Sequence, residues 1–199
     1  MQTKGTAYRL TIRAVLTALI ILQTMIPFLG YIPLGITSIT IIHITVIVAA
    51  IVLGPKDGML IGFIWGLFTV IRAFTSPTTP LDTLVFTNPL ISIVPRVLVG
   101  LVAGLLFQWL YRRYKRVVAA SMIAAIFGTI TNTVLVLVLM GTLYTSLVAK
   151  TYGVAPTGLI TLLGGIALTN GLSEIISAVI LTPIIVKALF TSTHLSPNH

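Results

Sequence analysis

The chain has 199 residues, 57% of them hydrophobic and only 8% charged, with no cysteine and a formal net charge of +9. Water-solvated domains carry charges at roughly a quarter of their positions, so this composition excludes an ordinary soluble globule. The missing cysteines exclude disulfides, thiolate metal sites and cysteine nucleophiles.

Residues 14–55 hold no charged side chain besides a potential charge on His43, and residues 117–149 hold none at all. Such runs need lipid around them. The start of the chain (Lys4, Arg9, Arg13, then an apolar run) mimics a signal peptide. No small-x-small cleavage site follows, so it reads as an uncleaved first span. Six apolar segments follow in order: 9–28, 37–53, 58–74, 88–111, 117–143 and 157–189. The second and third are short for a hydrocarbon layer of about 30 Å. Between them lie a Pro/Gly stretch (Phe28–Thr37), a GPKDG turn (Gly54–Gly58), a Pro/Thr-rich segment (Thr75–Pro89) with Asp82, a basic YRRYKR turn (Tyr111–Arg116) and a polar stretch, Tyr144–Thr157.

Six spans with the N-terminus inside collect Lys4, Arg9, Arg13, Lys56, Arg112, Arg113, Lys115, Arg116 and Lys187 on the cytoplasmic side, leaving Arg72 and Lys150 outside. This asymmetry predicts an all-α, polytopic membrane protein, one six-helix domain over residues 1–199, with both termini cytoplasmic. Because the bases cluster between apolar runs, the positive excess belongs to membrane topology and not to nucleic-acid binding. The expected location is the cell membrane, as a multi-pass protein in the lipid bilayer.

Small residues recur every four positions: Ala14/Ala18, Gly58/Gly62/Gly66, Gly100/Gly104 and Ala120/Ala124/Gly128. In lipid this spacing lets helix backbones approach closely, which explains most such pairs as internal packing. Ala14/Ala18, close behind the basic end, is held apart as a candidate face for a partner.

Arg96 is the sharpest anomaly. It follows Pro95 about 12 Å inside the fourth segment, where burying a guanidinium costs at least ~2.5–3.5 kcal/mol. Either it pairs with Glu174, the one acid inside a span, or it waits for a carboxylate or phosphate, which its planar fork grips bidentately. Counted from the start of its own segment, Glu174 is roughly 24 Å deep. That suggests a different level, a structural hydrogen bond near the cytoplasmic half, and the ligand reading for Arg96.

Asn132 and Asn170 must find hydrogen bonds inside the fifth and sixth segments, as helix–helix glue or as the walls of a pocket shared with Arg96. Thr131, Thr169 and Ser173 offer hydroxyls to such a pocket or to their own helix backbones. Asn88-Pro89 forms a capped helix start whose N–H groups favour an anion two turns above Arg96. His43, Trp65, Arg72 and Phe74 fall toward the outer side of the second and third segments, as pocket lining or as packing. A lone histidine without ligand spacing does not make a metal site. No GxSxG, HExxH or phosphate-loop motif is present, and three acids leave little for acid–base chemistry, so no enzyme is expected.

The runs Leu29–Gly66 (LGYIPLGITSITIIHITVIVAAIVLGPKDGMLIGFIWG) and Pro80–Gly104 (PLDTLVFTNPLISIVPRVLVGLVAG), with the Ala14-x-x-x-Ala18 pair, resemble the substrate-binding S components of energy-coupling factor (ECF) vitamin transporters. They look most like the pantothenate-carrying member; hydroxymethylpyrimidine and pyridoxine carriers are close alternatives. The resemblance implies a non-catalytic subunit without cofactor of its own, capturing a vitamin from outside. It works with a membrane coupling protein and two cytoplasmic ATPases, which bind the ATP and topple the S component in the membrane. It further implies a pocket among the last three helices, gated by loops Phe28–Thr37 and Thr75–Pro89, and docking through Ala14 and Ala18. A membrane scaffold subunit that binds only protein is the alternative from another class.

Overall fold

The computed structural model describes residues 2–34, 37–79 and 82–192. Gly35 and Ile36 of the first expected gate, Pro80 and Leu81 of the second, and residues 193–199 lie outside the described residues. Helix α1 (Gln2–Met25) leads through a short turn, α2 (Pro27–Gly30), into strands β1 (Tyr31–Leu34) and β2 (Thr37–Thr40). The two strands pair antiparallel, Tyr31 opposite Thr40 and Leu34 opposite Thr37. Helices α3 (Ile42–Val52), α4 (Pro55–Thr75), α5 (Pro89–Tyr114) and α6 (Val117–Leu143) follow, then the short α7 (Thr145–Thr151) and the long α8 (Leu159–Ser192).

Local chemistry sets several of these boundaries. Gly54 adopts φ +107, which a side chain disfavours, and Pro55 opens α4 where its missing N–H costs nothing. Asn88 caps α5 by accepting from the Leu90 N–H at 2.9 Å, with Pro89 at the first position. At its other end α5 stops at Lys115, whose left-handed φ of 55 turns the chain straight into α6.

Among the described residues, five helices are long and apolar enough to cross a membrane: Ala7–Met25, Pro55–Thr75, Pro89–Tyr114, Val117–Leu143 and Pro156–Ser192, the last counted with its 3-10 lead-in. The expected second span differs. Its first residues form β2, and the remaining helix, α3, has 11 residues. At 1.5 Å per residue that is about 16 Å, half a hydrocarbon layer. Every residue of α3 is buried, so its apolar character reflects the protein's own core and not contact with lipid. Around it pack Ile20 of α1, Trp65 of α4, Val99 and Phe107 of α5, Ala124 of α6 and Ala178 of α8. The outward faces of α6 and α8 expose Val134, Val138, Leu168, Leu172 and Ile184, as surfaces bathed in lipid do.

The tightest contact is between α4 and α5. A Cβ on Gly62 would lie 2.2 Å from the Arg96 carbonyl oxygen, one on Gly66 2.6 Å from the Ser92 carbonyl oxygen, and one on Gly100 2.3 Å from the Gly58 backbone. The four-residue glycine spacing is therefore an internal seam that lets two backbones touch. By contrast, Gly165 on α8 faces open space.

A pair of substitutions tests this seam by thermal unfolding in detergent. Gly100→Val should lower the midpoint by roughly 5–10 °C, because overpacking forces a backbone shift. Gly165→Ala should leave the midpoint unchanged or raise it slightly. Equal effects from both would show that the seam is not the tight contact described.

Candidate functional site

Register places the unusual polar groups within about one helical turn of each other. A Cβ on Gly128 of α6 would touch Ile47 of α3 and Ala103 of α5. Because α3 and α6 run antiparallel, Asn132 lies one turn beyond Gly128 in the direction in which His43 lies one turn from Ile47. Arg96 lies two turns from Ala103 on the same side, against α4. Glu174 of α8 closes the layer, accepting from the Thr40 backbone N–H at 2.9 Å and from Thr133 Oγ1 at 3.3 Å.

Arg96 is buried, with 6% exposure. Pro95 has no N–H to give Ile91, four residues back, so that carbonyl loses its helical donor. The Arg96 guanidinium supplies the replacement, Nη1 donating to the Ile91 oxygen at 2.7 Å. Its plane lies over the Trp65 ring at 4.9 Å and the Phe86 ring at 5.6 Å, two cation–π contacts that stabilise a desolvated cation. Glu174 lies in the same layer, tied to Thr133 beside Asn132. The expectation that Glu174 lies at another level, toward the opposite half, is corrected. The helix starts are not level: α8 ends beside the first turns of α6, where α5 also ends, and has 34 residues against 26 in α5, so its start lies farther out and depth counted from each start misleads.

Several buried polar atoms here have no hydrogen-bond partner among the described residues. They are Asn132 Oδ1, Trp65 Nε1 and both ring nitrogens of His43. Groups left this way inside a protein cost several kcal/mol unless something else meets them. Asn170 lies one turn before Glu174, half-buried, with a long contact from Thr169 Oγ1 at 3.4 Å.

The other candidates are engaged in structure. Asn88, besides capping α5, donates from Nδ2 to the Tyr144 hydroxyl at 3.1 Å, which braces α5 against the end of α6. Thr131, Thr169 and Ser173 donate to carbonyls of their own helices. Phe74 is 69% exposed. Arg72 is buried against Asp82, its Nη2 3.1 Å from Oδ1, and also donates to Thr78 Oγ1 at 3.0 Å. Asp82 Oδ2 in turn accepts from the Thr78 and Thr79 N–H groups at 2.7 and 2.9 Å.

This knot pins the α4–α5 connection and positions the π-helical turn Asp82–Phe86 that follows it. The turn lays Phe86 over Arg96, and Ser92 Oγ holds the Phe86 carbonyl at 2.6 Å. Sequence reasoning did not find Phe86, Ser92, Thr40 or Thr133. The one signal within reach was Pro95, which marks Ile91 as a carbonyl in need of a donor. A cavity of about 570 Å³ lies elsewhere, at the Arg116 end, and touches none of these residues.

Five apolar helices around a buried polar layer define a multi-pass membrane protein with an internal polar site. The model of the ECF transporter substrate-specific component matches residues 8–186, and the chain belongs to that family. It is similar to the pantothenate transporter PanT of Leuconostoc mesenteroides, 37% identical over 95% of both chains. It is also similar to the pantothenic acid transporter PanT of Lactococcus lactis, 35% identical over 75% of this chain and 76% of the relative.

Asp82→Ala should strip the loop of its anchor and leave Arg72 with a buried, unbalanced charge, a change that costs ~3–5 kcal/mol where no relaxation occurs. Amide exchange across residues 76–88 should then accelerate at least about tenfold, with α6 unaffected. Unchanged exchange in that segment would show that the loop is held by other contacts.

Proposed function

We propose that this chain is a pantothenate-capturing S component and that the polar layer is its binding site. The observation that carries the reading is Arg96 stacked on Trp65, whose Nε1 has no partner among the described residues, within about one helical turn of the unpartnered Asn132 Oδ1 and of His43. Pantothenate has one carboxylate, two hydroxyls and an amide. Arg96 would take the carboxylate. Trp65 Nε1 would donate to a ligand oxygen, and Asn132 Oδ1 and Glu174 would accept from hydroxyl or amide protons. The names of both relatives support the same ligand. Hydroxymethylpyrimidine lacks the carboxylate and would leave Arg96 little to do.

In this reading Asn170 lines the outer side of the pocket and His43 its floor, while Asn88, Thr131 and Arg72 shape it from behind. Arg72 acts by holding the Thr75–Pro89 loop as a gate, and the β1–β2 hairpin, tied to Glu174 through Thr40, is the second gate. The chain crosses the membrane six times, with α3 and the hairpin together serving as the short second crossing, and both termini lie in the cytoplasm with the basic turn. Ala14 and Ala18 are exposed beside exposed Leu10, Val15, Leu19 and Leu22, a small-residue face suited to a coupling protein. That protein and two cytoplasmic ATPases complete the importer; this subunit needs no cofactor, and ATP is spent by its partners.

Binding of labelled pantothenate to the purified protein tests the site. Arg96→Ala should weaken binding about 100-fold or more, and Asn132→Leu about tenfold. Unchanged affinity in Arg96→Ala would remove the carboxylate assignment, and equal competition by hydroxymethylpyrimidine would remove the ligand. Ala14→Trp should abolish uptake in cells carrying the whole importer while sparing binding. Loss of binding with assembly intact would reverse the two faces.

A further inference from the structure

At the end opposite the polar layer, an open groove of about 570 Å³ runs between the first turns of α6 and the last turns of α8. Its walls are apolar, including Val118, Met122 and Phe190, and Arg116 and Lys187 stand at its edge. Both cations are exposed, and the same turn adds exposed Arg112, Arg113 and Lys115.

None of the chain's three acidic side chains is available to them. Of its three acids, Asp57 is held by Arg9 and Arg13, Asp82 by Arg72, and Glu174 lies in the polar layer. The counter-charge for this end therefore comes from outside the acidic side chains of the chain. Trp109 and Tyr114 of α5, 64% and 61% exposed, stand at the same end. Aromatic rings of this kind settle at the headgroup level of a bilayer. A groove at that depth has apolar walls reaching toward the acyl region and cations at the headgroup boundary.

We propose that this groove is a binding site for an anionic phospholipid, its phosphate between Arg116 and Lys187 and one acyl chain along Val118, Met122 and Phe190. The unpaired N–H groups of the first turn of α6 add partial positive charge at the same mouth. A zwitterionic lipid would fill the apolar trough but bring no net charge to the cations, so the site discriminates by headgroup.

Native mass spectrometry of the full chain in detergent, with dioleoylphosphatidylglycerol against dioleoylphosphatidylcholine, tests this. The wild type should retain phosphatidylglycerol about tenfold better or more. The double variant Arg116→Gln/Lys187→Gln should lose that preference. Arg112→Gln/Arg113→Gln removes the same charge outside the groove and should keep it. Ala119→Trp, which fills the trough without touching charge, should lower phosphatidylglycerol retention with the thermal midpoint unchanged. Equal loss in both double variants would mean diffuse attraction and overturn the site, as would a preference that survives Ala119→Trp. A wild-type preference unaltered by Arg116→Gln/Lys187→Gln, with assembly into the importer lost, would give the groove to a protein partner instead.

Discussion

The backbone contact between α4 and α5 is the constraint on which both the bundle and its polar layer hang. Glycines at Gly58, Gly62, Gly66 and Gly100 bring the two helices within touching distance, and the Gly62 surface meets the carbonyl of Arg96 itself. With the backbones so close, the Arg96 side chain lies over Trp65 of the neighbouring helix. The proline before it completes the arrangement, since the orphaned Ile91 carbonyl gives the guanidinium a fixed hydrogen bond. Dispersion between close backbones can hold helices together in lipid, where hydrophobic burial offers little. It also allows a charge to be held at depth without a polar channel around it.

The few acids are spread as ties between elements that sequence separates. Asp57 at the start of α4 takes Arg13 at 2.6 Å and Arg9 at 3.5 Å, and Arg9 also reaches the Leu53 carbonyl. That fixes α1 against the α3–α4 turn while leaving the Ala14/Ala18 face outward. Asp82 ties its loop to α4, and Glu174 ties the hairpin and α6 to α8. Each carboxylate joins two or more elements.

The two ends of the molecule contrast in how they treat charge. In the polar layer, cation and carboxylate share a buried level and several neutral groups are left without partners, a combination that suits a ligand bearing both charge and hydrogen-bonding groups. At the Arg116 end the cations outnumber any local acid and remain at the surface, which suits the face of a membrane. Between the two ends lies α3, wholly buried and mostly apolar.

Charge distribution and hydropathy along the chain were enough to determine a polytopic helical membrane protein and its basic end, and to single out Arg96 and Asn132 as anomalies, because lipid disfavours stray charges and orphaned amides. Matched stretches pointed to the family. The tertiary structure alone decided that the second apolar segment is one strand of a hairpin followed by a short, sheathed helix, since hydropathy cannot distinguish burial in protein from burial in lipid. It also brought Glu174 to the level of Arg96 and gave Arg72 to Asp82. Those outcomes depend on the relative heights of helices and on loop closure, and neither is written in the spacing of residues along one chain.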